Sequence, residues 1–149
     1  MIGLGSNLGD RVATLREAIA KLQLVASVER ISRVYESAPI GPPQPDYLNA
    51  AALVAWPNAL ADLLPHLLRI EAEMGRVRRE RWQARTIDLD ILWSDGSPVI
   101  SDDLTVPHAR LSERAFAILP LLDVAPDAPY DREAVAMQQI EMTDFLLDA

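Results

Sequence analysis

The order of its amphipathic segments predicts that this chain folds as an α+β, ferredoxin-like domain: an antiparallel sheet with helices packed on it, plus C-terminal additions. Three observations carry that reading. Two stretches repeat apolar residues at helical spacing, two extended stretches lie back to back between them, and a sharply alternating stretch follows the second helix. With a short apolar start, the order is β-α-β-β-α-β.

Met1 to Gly5 is apolar and reads as the end of a strand. In residues 10 to 25, Val12, Leu15, Ala18, Ile19 and Leu22 mark one helical face, and Asp10 is placed to cap it. Val28 to Tyr35 alternates imperfectly with charged residues and reads as a strand. Residues 37 to 46 hold Pro39, Pro42, Pro43 and Pro45 with Gly41, so they form a loop stiffened by proline. Tyr47 to Trp56 reads as the next strand. Leu60, Leu63, Leu64, Leu67 and Met74 lie on one stripe of a helix over 59–74 that contains Pro65 and stops at Gly75. Arg76 to Ala84 has no apolar period and reads as a loop. Thr86 to Trp93 alternates most clearly of all, Asp95-Gly96 signals a turn, and Leu104 to Pro107 is extended. A short helix is expected over 114–122 and a last one near 137–147. The whole of 1–149 reads as one domain, without repeat or linker.

Composition narrows the function. The 149 residues are half hydrophobic, low in aromatics and without cysteine, which excludes disulfides, thiolate catalysis and cysteine-bound metal clusters. No apolar run is long enough to span a membrane, and a cytoplasmic location is the expectation by default. The net charge of −8 argues against broad binding to nucleic acid. Within this acidic chain, residues 69–85 concentrate six arginines against three glutamates. Arginine's planar fork suits phosphate oxygens, so the cluster fits a small polyanion; a solvated basic loop explains it equally well.

The chemistry centres on Thr86-Ile87-Asp88-Leu89-Asp90-Ile91. On a strand, Ile87, Leu89 and Ile91 face one side while Asp88 and Asp90 share the other, with Cα atoms about 6.5–7 Å apart. Two like charges so placed call for a cation, and magnesium suits them; a solvated polar face is the plain alternative for an isolated pair. Arginines just upstream change the balance, because carboxylates that hold magnesium beside arginines that hold phosphate describe a nucleoside-triphosphate site. Gly3-Leu4-Gly5-Ser6-Asn7-Leu8-Gly9 lacks the lysine and Ser/Thr of a phosphate loop and reads as a strand-to-helix turn. His66 and His108 read as structural histidines, Tyr47 and Phe116 as core aromatics. Trp82 covers a nucleotide or anchors its loop, and Glu71 and Glu73 pair most simply with Arg69, Arg76 or Arg78.

Together, GLGSNLGD (3–10), SAPIGPPQPDYLNAA (37–51), RIEAEMGRVRRERWQARTIDLDI (69–91) and LTVPHARLSERAFAILPL (104–121) resemble the 6-hydroxymethyl-7,8-dihydropterin pyrophosphokinases of folate biosynthesis. The pieces occur in the family's order, and RTxDLDI followed by VPH is the specific part. The resemblance implies the same fold and transfer of pyrophosphate from ATP to the pterin's hydroxymethyl group, with release of AMP. It implies that Asp88 and Asp90 bind two Mg2+ ions and that Arg76 and Arg85 contact the phosphates and aid catalysis. Glu71, Arg78, Arg81, Trp82, Ile91, His108 and Arg114 then belong to the ATP side. Asn7, Ser37, Ala38, Ile40, Tyr47, Asn49 and Phe116 belong to the pterin pocket, where Tyr47 and Phe116 sandwich the ring, against their reading as core aromatics. Ala109, Arg110 and Leu68 depart from the family's pattern. The expected partners are the two small substrates, not nucleic acid or a membrane, and the expected state is a monomer. A ferredoxin-like binding module and a two-metal phosphohydrolase are the rival readings; product identity separates them, AMP from the transfer, free phosphate from a hydrolase and nothing from a module.

Overall fold

A computed structural model describes residues 1–75 and 86–147. The chain runs through β1 (Ile2–Ser6), α1 (Arg11–Gln23), β2 (Ser27–Ile31), β3 (Tyr35–Ser37), β4 (Tyr47–Ala55), α2 (Leu60–Glu73), β5 (Asp88–Ile91), β6 (Val99–Ile100), β7 (Thr105–Val106), α3 (Ala115–Val124) and β8 (Ile140–Met142). The main sheet is antiparallel in the order β5-β1-β4-β3-β8, and β2 joins β3 along the same edge of β4. This is the predicted α+β, ferredoxin-like arrangement. Among the described residues no helix is long and apolar enough to cross a membrane.

Alternation along the strands sorts the sheet into two faces. Ile2 and Leu4 of β1, Leu48, Ala50 and Ala52 of β4, and Leu89 and Ile91 of β5 join one buried cluster with Leu15, Ile19 and Leu22 of α1 and Leu63, Leu67 and Ile70 of α2. Burying a large aliphatic side chain stabilises by about 1.5–3 kcal/mol, so this cluster is the main source of stability. The other face carries Gly3, Gly5, Asn49 and Ala51, and α3 covers only part of it. There Ala51 packs with Leu111, Ala115, Ile118 and Leu121 in a second, smaller core.

Local signals explain the helix ends. The Asp10 carboxylate accepts from the Ala13 N–H at 3.1 Å and caps α1, as expected. Gly75, with φ of 81°, turns the chain out of α2, where a side chain would be strained. Pro65 sits in the second turn of α2 and forgoes one helical bond.

Three expectations change. The strand predicted over 28–35 is broken into β2 and β3. Ser32 causes the break: its N–H donates to the Ala51 carbonyl at 2.9 Å, and its hydroxyl accepts from the Ala51 N–H at 2.7 Å. A side chain thus takes a ladder position, and between Ile31, opposite Ala52, and Tyr35, opposite Asn49, the chain spends four residues against three of β4. The strand predicted over 86–93 is confined to Asp88–Ile91. The helix predicted near 137–147 does not form. A 3-10 turn at Arg132–Val135 leads into β8, which pairs with the edge of β3, and Thr143 donates to the Val34 carbonyl from both its N–H and its hydroxyl. An open strand edge offers backbone partners that outweigh the weak helical pattern of this segment.

Candidate active site

An open cleft lies on the face of the sheet that α3 leaves partly bare. Its floor is β1 and β4. The register aligns Asp88, Gly5 and Asn49 in one row across β5, β1 and β4, and Asp90, Gly3 and Ala51 in the next. Two strand spacings put about 10 Å between the acidic end of the row and the Asn49 end. Between them glycine gives a floor without side chains. A Cβ on Gly5 would stand 3.4 Å from Tyr47 Cδ1 and 3.6 Å from Asn49 Oδ1, and one on Gly3 would meet Leu92 Cδ1 at 2.5 Å.

At the acidic end, Asp88 is half-buried and Asp90 exposed, and both line the cleft. No group of three His, Cys, Asp or Glu able to hold a metal occurs among the described residues. A pair of carboxylates still fits magnesium, which completes its oxygen shell from phosphate and water rather than from an all-protein cage.

Above this end stand His108 and Arg114. Burial, reinforced by the nearby Arg114, lowers the His108 pKa below its ordinary 6.5, with Asp88 opposing, so the ring is neutral at neutral pH. Its Nδ1 accepts from the Arg110 N–H at 3.2 Å. A backbone N–H can only donate, so the ring proton sits on Nε2. The Arg114 guanidinium lies 5.5 Å from the centroid of Phe116, within cation–π range.

At the other end, half-buried Tyr47 and buried Asn49 line the cleft with Ser37, Ala38 and Ile40, and half-buried Phe116 lines it beside Arg114. Asn49 Nδ2 donates to Ser37 Oγ at 2.7 Å, which sets the plane of its amide. The two rings, read from the residues alone as core aromatics, are instead cleft residues.

The other expected site residues fall elsewhere. Asn7 is buried but outside the lining; its Nδ2 donates to Gln44 Oε1 at 2.7 Å and to the Pro45 carbonyl at 3.0 Å. Arg11 bonds Glu36 at 2.7 Å and the Asp46 carbonyl at 2.9 Å, so the arm of the proline loop that leads into Tyr47 is pinned at its base. Glu71 is buried on α2, and its Oε2 accepts from the Leu89 N–H at 2.8 Å. It therefore braces the β5 backbone between the two aspartates. Ile91 belongs to the buried core. Arg76, Arg78, Arg81, Trp82 and Arg85, with the loop expected over 76–84, lie outside the described residues.

Gly3, Gly5, Leu92, Leu111 and Ala117 line the cleft without having been expected there. The glycines were detectable, since two of them at alternate positions on a strand leave one face bare.

A model of the 7,8-dihydro-6-hydroxymethylpterin-pyrophosphokinase family matches residues 1–126. Similar proteins include a 2-amino-4-hydroxy-6-hydroxymethyldihydropteridine pyrophosphokinase of Synechocystis, 40% identical over 147 residues, covering 97% of this chain and 75% of the relative. The protein of that name from Haemophilus influenzae is 41% identical over 129 residues, 85% of this chain and 81% of its own. The one from Bacillus subtilis is 39% identical over 144 residues, 90% of this chain and 86% of its own.

Proposed function

The chain belongs to the 7,8-dihydro-6-hydroxymethylpterin-pyrophosphokinase family and transfers pyrophosphate from ATP to the hydroxymethyl group of that pterin in folate biosynthesis, and from this premise we propose how its residues divide the reaction. The pterin lies between Tyr47 and Phe116, with Asn49 and the Ser37–Ile40 wall reading its polar edge. With Nδ2 donating to Ser37 Oγ and the Tyr35 carbonyl, Asn49 presents Oδ1 as an acceptor for an N–H of the pterin edge. The triphosphate lies toward Asp88 and Asp90, with His108 and Arg114 beside it. Arg76, Arg78, Arg81, Trp82 and Arg85 complete that side by resemblance, and Glu71 serves it by holding β5. Asn7 serves the pterin end through the proline loop.

Asp88 and Asp90 would hold two Mg2+ ions, which supply positive charge against the phosphate oxygens when bound. The pterin hydroxyl oxygen attacks the β-phosphorus. The bond from that phosphorus to the oxygen bridging it to the α-phosphate breaks, AMP leaves with the electron pair, and the hydroxyl proton passes to water. No side chain becomes phosphorylated. The protein contributes positioning and fixed charge, as phosphoryl transfer generally requires.

The observation that carries this reading is the row Asp88–Gly5–Asn49. It puts Asp88 and Asn49 about 10 Å apart across a bare floor, room for a hydroxymethyl group to meet a phosphate chain. The test is product identity. Protein, magnesium-ATP and the reduced hydroxymethylpterin should yield AMP and the pyrophosphorylated pterin in equal amounts. Formation of ADP, or of free phosphate, would refute the assignment.

A further inference from the structure

The roof of the ring-reading end is the start of α3, and no side chain of α3 caps that start. Its N-cap, Arg114, makes no side-chain capping bond. The bond comes from 23 residues further on: Gln138 Oε1 accepts from the Ala115 N–H at 2.9 Å. The other arm of the same amide, Nε2, donates to the Glu113 carbonyl at 2.6 Å. A backbone N–H only donates and a carbonyl only accepts, so the two partners dictate the orientation of the amide. Gln138 thus grips the backbone on both sides of Arg114 and immediately before Phe116. Two residues later the chain enters β8, where Ile140 stands opposite Ser37 in the ladder with β3, and Ser37 Oγ is the group that orients Asn49. A single segment therefore ties the roof of the cleft to its wall. The far end of α3 is held separately: the Asp123 carboxylate accepts from the Tyr35 hydroxyl at 2.8 Å and from the Arg33 N–H at 3.2 Å.

We propose that Gln138 is a positioning residue for pterin binding, a two-armed clamp that sets the height of Phe116 above Tyr47, although it lies beyond residues 1–126 that the family model matches. A planar slot is sensitive to its width, because dispersion falls steeply with a gap of a fraction of an ångström. Releasing the start of α3 would let the roof rise. The proposal rests on the reading of Tyr47 and Phe116 as the slot, and the experiment separates the two.

Pterin affinity is measured by titration of the full chain with the reduced hydroxymethylpterin, at saturating magnesium and non-hydrolysable ATP analogue, alongside thermal melts. The variants are Gln138→Ala, Phe116→Ala and Thr143→Ala. Gln138 is exposed, so its variant should fold. Thr143→Ala removes one hydrogen bond, to the Val34 carbonyl, from the same C-terminal segment and serves as the control for general loosening. Gln138→Ala should weaken pterin binding about three- to tenfold, the effect of one or two ordinary hydrogen bonds, while Thr143→Ala leaves it unchanged at a comparable shift in melting. If Phe116→Ala weakens binding but Gln138→Ala stays within twofold of the parent, the clamp is wrong and the slot stands. Equal weakening by Thr143→Ala would also overturn the clamp. If Phe116→Ala binds as the parent does, the slot reading falls and the clamp with it.

Discussion

Gly5 lies at the middle of the row that joins the acids to Asn49, and its substitution separates what the fold needs from what the substrate needs. A Cβ there would stand 3.4 and 3.7 Å from two carbons of Tyr47 and 3.6 Å from Asn49 Oδ1. The nearest of these is at the edge of ordinary contact, so Gly5→Ala should fit. It should stabilise by up to about 0.5–1 kcal/mol, the usual cost of glycine inside a strand. Gly5→Val adds two carbons one bond further out, in the direction of the Tyr47 ring and the Asn49 amide. Overpacking costs about 1–3 kcal/mol. Relief of the glycine cost offsets part of this, so Gly5→Val should lie within about 2 kcal/mol of the parent in a urea melt. Pterin binding should fare far worse, because the added methyl groups take the floor of the slot and displace both groups that read the ring. A loss of at least about tenfold, or about 1.4 kcal/mol, is expected for valine, against a few-fold for alanine. ATP binding alone should hardly change. Gly5→Val binding the pterin as tightly as the parent would mean that the ring does not lie over β1, and the division of the cleft argued above would be wrong.

Asp88→Asn and Asp90→Asn should each abolish turnover while leaving the melting temperature near the parent's, since like charges on one strand face are relieved; near-normal rates at ordinary magnesium would refute metal binding by this pair. Asn49→Ala should weaken the pterin and leave ATP alone unchanged in parallel titrations, and a variant that binds both normally would remove Asn49 from the pocket. Folded His108 has a pKa below its ordinary 6.5, so near that pH the unfolded chain binds more protons. The stability His108 contributes is therefore present above 6.5 and lost as pH falls toward the folded value. Urea midpoints for His108→Gln should decline less from neutral to acidic pH than the parent's, and identical slopes would contradict the assignment. Tyr35→Phe should cost about 0.5–1.5 kcal/mol through loss of the bond to Asp123, measurable in the same melts; no change would show that bond to be energetically idle.

Much of this molecule is a local matter. Helical spacing in α1 and α2, the Asp10 cap and the Gly75 stop are properties of a few neighbouring residues, so the sequence alone determined them. The period of two in Asp88-Leu89-Asp90 likewise determined that the acids share a face, and the family motifs pointed to Tyr47, Asn49 and Phe116, which line the cleft. Tertiary structure decided what those residues meet. Which glycine lies between Asp88 and Asn49 is a matter of register among three strands distant in sequence. A Ser32 hydroxyl replaces a ladder bond only because Ala51 arrives beside it. Residues 137–147 have a weak pattern of their own, and the open edge of β3, some hundred residues earlier, decided that Ile140–Met142 would be a strand. Gln138 gave no signal at all, because its two partners, Glu113 O and Ala115 N, are backbone atoms, and backbone atoms carry no sequence identity by which a distant side chain could be matched to them.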